Sequence, residues 1–183
     1  QAMVPPFEIS VLADPSGAFT TAAALVACVE KQLKEKHHKE LKDCKALVFG
    51  GTGPVGIATG VIASLAGAQV SLVDHMSIDA ANDVANEYNR RCHSTLTGAA
   101  AGSDEEKSAL IADVDIIFCT AKAGIQVLSS EVLATAKQLK VAGDVNAVPP
   151  SGIAGIGAND ASIALVAPEG AIGVGALAVG NIK

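Results

Sequence analysis

Three glycines, Gly51, Gly53 and Gly56, stand in the spacing Gly51-Thr52-Gly53-Pro54-Val55-Gly56. Each has a separate use in holding a phosphate group. The first permits a tight turn. The second lets the backbone approach a pyrophosphate with no Cβ in the way. The third allows a helix to pack closely on the preceding strand. Thr52, Pro54 and Val55 complete the same candidate contact surface. A helix that starts here directs free N–H groups and a positive dipole end at the anion. The pattern alone is weak, and its context decides. Here it follows the apolar run Lys45–Gly50 and opens a small-residue helix reaching Leu65. The competing reading is a glycine-rich turn that binds nothing.

The next apolar run, Gln69 to Val73, ends at Asp74, about twenty residues past the glycines, where a dinucleotide-binding turn expects an acid. A carboxylate there accepts hydrogen bonds from the adenosine ribose and repels a 2′-phosphate. No arginine follows; the next residues are His75-Met76-Ser77. NAD is therefore the expected cofactor over NADP, with His75 as a weak contact for a 2′-phosphate. The competing role for Asp74 is to cap the next helix. Farther on, Cys119-Thr120-Ala121-Lys122 ends another apolar run, and its small residues Thr120 and Ala121 are expected beside the nicotinamide half. Lys122 reads as a loop residue. Asp144 and Asn146 follow the last clear run, and they read equally as crevice-facing polar groups or as the anchors of a turn before Pro149-Pro150.

The elements that must position these residues alternate. Strands are expected at Phe7 to Ala13, Lys45 to Gly50, Gln69 to Val73, Thr95 to Ala99, Val114 to Thr120 and Leu139 to Gly143. Helices are expected from Thr20 to Lys36 with Thr20 or Thr21 as cap, Ile57 to Leu65, Asp79 to Arg91, after Ser103 with Glu106 completing a capping box, and from Ser129 to about Gln138. Asp14-Pro15-Ser16-Gly17 is a turn, and residues 144–157 form a loop. Ala161 to Val166 and Ala171 to Val179 are further apolar segments. This alternation predicts an α/β fold with a doubly wound, mainly parallel sheet, a Rossmann-type NAD(P)-binding domain. We expect residues 41–183 to form that domain and residues 1–40 to supply an interdomain strand and helix. Neither end reads as a natural terminus, so a piece of a two-domain enzyme is expected.

Composition agrees and excludes several classes. Half of the 183 residues are apolar, with four Phe, one Tyr and no Trp, so the core is built from Ala, Val, Leu and Ile. The net charge of −6 argues against nucleic acid as a partner. Lysines between positions 31 and 45 alternate with Glu30, Glu35, Glu40 and Asp43, as on a solvated helix face. Cys28, Cys44, Cys92 and Cys119 match no zinc or redox spacing, and the four histidines form no ligand set, so no metal site is expected. With no visible signal peptide or membrane span, a cytoplasmic protein with no membrane partner is expected. The Ala-rich stretch 18–29 makes a homo-oligomer the expected assembly.

Four segments together point to a family. They are Asp14-Pro15-Ser16-Gly17-Ala18-Phe19-Thr20-Thr21, Phe49-Gly50 with the glycine motif through Gly56, Asp144-Val145-Asn146-Ala147-Val148-Pro149-Pro150-Ser151-Gly152-Ile153, and Gly175-Ala176-Leu177-Ala178-Val179-Gly180-Asn181-Ile182-Lys183. In these the chain resembles the bacterial NAD(P)-dependent methylene-tetrahydromethanopterin dehydrogenases. The resemblance implies hydride transfer from methylene-tetrahydromethanopterin to the nicotinamide, giving the methenyl form in formaldehyde oxidation. It also implies a pterin cleft shared with an amino-terminal domain that has no counterpart here. By the same resemblance Lys183 matches an active-site lysine, and Thr20 and Thr21 match a helix start near cofactor and hinge. NADP-preferring members carry Gly-Arg where this chain has Asp74-His75. Three alternatives stay open: a methylene-tetrahydrofolate dehydrogenase, a shikimate-type dehydrogenase, and a non-catalytic NAD-binding module. The fold alone does not choose among them.

Overall fold

A computed structural model describes residues 13–181 of the chain. Its frame is a seven-stranded sheet: β1 Lys45–Phe49, β2 Gln69–Asp74, β3 Thr97–Ala100, β4 Ile116–Cys119, β5 Val141–Asp144, β6 Ile163–Ala164 and β7 Ile172–Val174. The strand order is β3-β2-β1-β4-β5-β7-β6. All neighbouring pairs are parallel except β6 with β7. The chain winds outward one way from β1 to β3, crosses back to β4, and winds the other way. That reversal between β1 and β4 is where open sheets of this kind leave a crevice.

Side chains alternate across each buried strand. In β1, Val48 points to one face and Leu47 and Phe49 to the other; in β4, Ile116 and Phe118 oppose Ile117 and Cys119. One face is covered by helices α1 Ala18–His37, α2 Pro54–Leu65 and α3 Ile78–Cys92, and Leu25, Val29 and Leu33 of α1 are buried in that core. Opposite lie α4 Asp104–Ile111 and the single turn α5 Ser130–Leu133, with Ile111, Leu128, Leu133 and Ile153 packed on the sheet. Both faces are thus withdrawn from water, which explains the uninterrupted apolar runs at β1 and β4. A last short helix, α6 Ala176–Gly180, rests against α1.

The departures from the sequence expectations have local causes. The strand expected at Phe7 to Ala13 lies outside the described residues but for Ala13, which is irregular. Helix α1, part of the segment expected to be an interdomain strand and helix, packs on the sheet and on α2. It is started by Asp14, not by Thr20 or Thr21. The Asp14 carboxylate accepts from the Phe19 and Thr20 N–H groups at 2.8 and 3.2 Å and from the Thr20 hydroxyl at 2.7 Å. Helix α2 begins at Pro54, since proline needs no N–H partner in a first turn. Strand β3 starts at Thr97 because side chains hold the backbone before it: Ser64 Oγ accepts from Thr95 N–H and Asn89 Oδ1 from Leu96 N–H. After α5, Thr135, Ala136 and Leu139 close tighter turns onto carbonyls three residues back. The segment Ala171 to Val179 divides at Gly175 into β7 and α6, because the carbonyls of Asp160 and Ala158 draw the Gly175 and Leu177 N–H groups out of the strand. The Ser103 cap with Glu106 is formed as the sequence predicts.

Phe118 is among the largest side chains with no exposure. Phe118→Ala is expected to destabilise the domain by about 3–5 kcal/mol, as read from chemical denaturation. A loss below about 1 kcal/mol would show that the face under α1 and α2 is not tightly packed.

Candidate functional site

The register of the parallel strands sets four chain exits side by side. Phe49 pairs with Val73 and Cys119, and Cys119 pairs with Asp144. Gly50, Asp74, Thr120 and Asp144 therefore leave the sheet along one carboxyl edge. Gly50 turns the chain with φ +73°, a conformation that suits glycine. The turn is closed by Gly53 N–H on the Gly50 carbonyl at 3.1 Å and tied to β2 by Gly51 N–H on the Val73 carbonyl at 3.2 Å.

The three motif glycines differ in what surrounds them. A Cβ on Gly51 would lie 2.7 Å from the Val48 carbonyl oxygen and 2.8 Å from Leu72 Cα. A Cβ on Gly56 would run into the Gly50 carbonyl and stand 2.8 Å from Thr120 Oγ1. On Gly53 the nearest atom would be 3.4 Å away, in ordinary contact, and the space beyond is open. Gly51 therefore sets the turn against β2 and Gly56 sets α2 against the turn and Thr120, while Gly53 leaves room for an approaching group. Gly53 is the N-cap of α2, and no side chain caps this end. The start of α2 is therefore of the kind that suits an anion. Val55, like Pro54, lies in that first turn.

Beside the turn is a cavity of about 500 Å³ whose lining includes Gly50, Thr52, Asp74, His75, Ala121 and Lys122. Of the expected cofactor residues, Thr52, Asp74, His75 and Ala121 converge here. Asp74 is held firmly: Oδ1 accepts from the Met76 and Ser77 N–H groups at 2.8 and 3.0 Å, and Oδ2 accepts from the Thr52 hydroxyl at 3.0 Å. Its carboxyl lies below the usual range, first because of the Met76 N–H, with Ser77, Thr52 and His75 adding to the effect against some burial. Helix α3 is capped by Ser77 and not by Asp74, so the competing capping role is set aside. His75 is exposed, its Nδ1 3.9 Å from Asp74 Oδ1.

Three expected cofactor residues turn inward instead. The Thr120 hydroxyl donates to the Phe49 and Gly50 carbonyls at 3.0 and 3.3 Å, bracing the glycine turn from beneath. Asp144 is 1 % exposed. Its oxygens accept from the Asn146 and Ile153 N–H groups at 2.9 and 3.0 Å. Burial pushes its carboxyl up against the pull of those donors and of Gly152 N–H. Asn146 is buried too: Oδ1 accepts from Gly124 and Val148 N–H, and its amide donates to the Pro150 carbonyl. Of the two readings these residues allowed, the structure has the turn anchors. Asn146 also joins the loop after β4 to the loop after β5. The buried Cys119 beside Asp144 is raised to about 12 by burial and the neighbouring carboxylate, which makes it an inert thiol. Lys183 lies outside the described residues.

The sequence reading missed Lys107 and Ile125, which also line the cavity. Lys107 comes from α4 and holds Asp104 at 3.2 Å. Nothing in the local sequence marks it, because its approach depends on how α4 lies over the sheet edge. Among the described residues no group of His, Cys, Asp or Glu is placed to hold a metal ion, and no helix is long and apolar enough to cross a membrane.

The glycine geometry separates binding from folding. Gly53→Val should leave the thermal midpoint nearly unchanged and abolish NAD binding by calorimetry. Gly56→Ala should lower stability by about 1–3 kcal/mol through overpacking against backbone. A Gly53→Val variant that still binds NAD would remove the pyrophosphate assignment.

Comparison with known proteins agrees with the fold. No family model matches the chain. It is 42 % identical over all 183 residues to an NAD(P)-dependent methylenetetrahydromethanopterin dehydrogenase of Methylorubrum extorquens, of which it covers 61 %. It is 32 % identical over 178 residues, 97 % of the chain, to the bifunctional protein MdtA of the same organism, of which it covers 59 %. The chain thus spans about three-fifths of the length of these curated relatives. Among solved structures, a transhydrogenase from Sinorhizobium meliloti aligns with a TM-score of 0.67 at 18 % identity, over 91 % of this chain and 52 % of that one. At such identity the likeness concerns the fold alone. The described residues form a Rossmann-type α/β domain, and the chain is similar along its entire length to a bacterial NAD(P)-dependent methylenetetrahydromethanopterin dehydrogenase.

Proposed function

We propose that this chain is the dinucleotide-binding part of an NAD(P)-dependent dehydrogenase that oxidises a methylene-tetrahydromethanopterin to its methenyl form. The observation that carries the cofactor reading is the open face of Gly53 at the uncapped start of α2, with Gly50 and Thr52 of the same turn and the Asp74 carboxylate lining the cavity beside it. A Cβ at Gly53 would occupy space that a pyrophosphate needs, so the residues present fit such a group. The 42 % identity to the Methylorubrum enzyme supports the substrate reading.

In this reading the N–H groups of α2 and its dipole end hold the pyrophosphate, and Asp74 accepts from the adenosine ribose hydroxyls. Thr120 keeps the turn beneath the phosphates rigid. Asn146 and Asp144 fix the paired loops that wall the nicotinamide side. The bound nicotinamide would supply the hydride acceptor. The protein's share is largely orientation and exclusion of water, since the pterin nitrogens themselves stabilise the developing cation. Lys183 would meet the pterin, and NAD would be preferred to NADP because Asp74 is ionised where a 2′-phosphate would lie. A cytoplasmic setting suits the four unpaired cysteines. A homo-oligomer is part of the same proposal; most of the apolar residues of the Ala-rich first helix are taken up by the domain core, so other surfaces would make the contact.

Calorimetric titration of the full-length protein with NAD and NADP, followed by a 340 nm assay with methylene-tetrahydromethanopterin, tests this. Binding with turnover is expected; binding without turnover would leave a dinucleotide-binding module. Asp74→Gly should weaken NAD about tenfold or more, the value of a hydrogen bond to a charged group, and shift the preference towards NADP. An unmoved NAD/NADP ratio in that variant would mean that Asp74 does not read the ribose.

A further inference from the structure

The side chain of Thr52 bridges two parts of the site that sequence patterns treat separately. Its backbone lies inside the glycine turn, between Gly51 and Gly53. Its hydroxyl reaches across to the end of β2 and donates to Asp74 Oδ2 at 3.0 Å. The other oxygen of Asp74 is already committed, at 2.8 and 3.0 Å, to the N–H groups of Met76 and Ser77. The carboxylate therefore has one oxygen locked into its own turn and one steered by Thr52. Both residues line the cavity, and the Asp74 side chain is 16 % exposed. A carboxylate oxygen accepts more than one hydrogen bond, so Oδ2 keeps capacity for an incoming hydroxyl while Thr52 holds it.

We propose that Thr52 is a positioning residue for dinucleotide selectivity: through Asp74 Oδ2 it sets the carboxylate in the orientation that accepts a ribose diol. The phosphate turn and the ribose acceptor are then one mechanical unit. A valine at position 52 would keep the shape of the side chain but donate nothing. Asp74 would keep its charge and its two backbone donors, yet Oδ2 could swing away from the ribose position. The electrostatic penalty against a 2′-phosphate would weaken together with the acceptor geometry. Serine would keep the donor on a smaller side chain.

This inference rests on the cofactor reading above, and the test separates the two. NAD and NADP affinities are measured by calorimetry on the full-length protein as wild type, Thr52→Val and Thr52→Ser, with thermal midpoints to check folding. In Thr52→Val, NAD affinity is expected to fall about tenfold, NADP affinity to change by less, and Thr52→Ser to restore the wild-type ratio. The pH profile supplies a second readout. A carboxyl that ordinarily titrates near 3.8 is held lower in the wild type. NAD binding therefore persists above that range and is lost as pH falls through the depressed value. Removing one donor should move that loss to higher pH. Wild-type protein that binds neither dinucleotide would overturn the cofactor reading and this inference together. Wild-type binding with an unmoved NAD/NADP ratio in Thr52→Val, or an equal loss for both dinucleotides, would overturn this inference alone.

Discussion

Gly56 stands against the Gly50 carbonyl and the Thr120 hydroxyl with no space for a methyl group, and a Cβ on Gly51 would stand 2.8 Å from Leu72 Cα of β2. These approaches bring the start of α2 down onto the sheet at the point where the winding reverses. They set the height of the helix end above the strand exits and, with it, the depth of the cavity. A larger residue at either position would lift α2 and separate the N–H groups of its first turn from Asp74. The open side of Gly53 is useful only because its two neighbours in the motif are closed.

Two aspartates end strands on either side of the crevice, and their surroundings make them opposites. Asp74 has three protein donors and remains at the edge of a cavity, so it is held as an anion that a ligand can meet. Asp144 is sealed from water, and its oxygens are taken by the backbone of the loop it organises. One acid is suited to recognition and the other to construction. Asn146 extends that construction by tying the loop after β4 to the loop after β5. This side of the crevice is thus built from satisfied, buried polar groups, which cost little only when every partner is present.

Much of this was legible beforehand in the elements and motifs. Strands β1 and β4 are apolar throughout because both of their faces are covered, and that pattern survives in one dimension. The Ser103 and Glu106 capping box and the Asp14–Gly17 turn depend on neighbours a few residues apart. What went unread depended on distant partners. Thr95 and Leu96 left the β3 ladder because Ser64 and Asn89 took their N–H groups. Thr120, Asp144 and Asn146 turned away from the crevice because donors and acceptors elsewhere claimed them. Lys107 reached the cavity from a helix whose sequence gives no sign of it.

By itself, then, the sequence determined the alternation of buried strands and helices, the glycine turn and the acid at the end of β2, since all of these follow from periodicity, backbone freedom and spacing along the chain. The tertiary structure alone decided which polar residues face the cavity. A hydroxyl or carboxylate at a strand end goes to whichever donor or acceptor lies within about 3 Å of it. For Thr52 that partner is Asp74, and for Asp144 it is the loop folded back over it. Such neighbours are set by how strands far apart in sequence come into register.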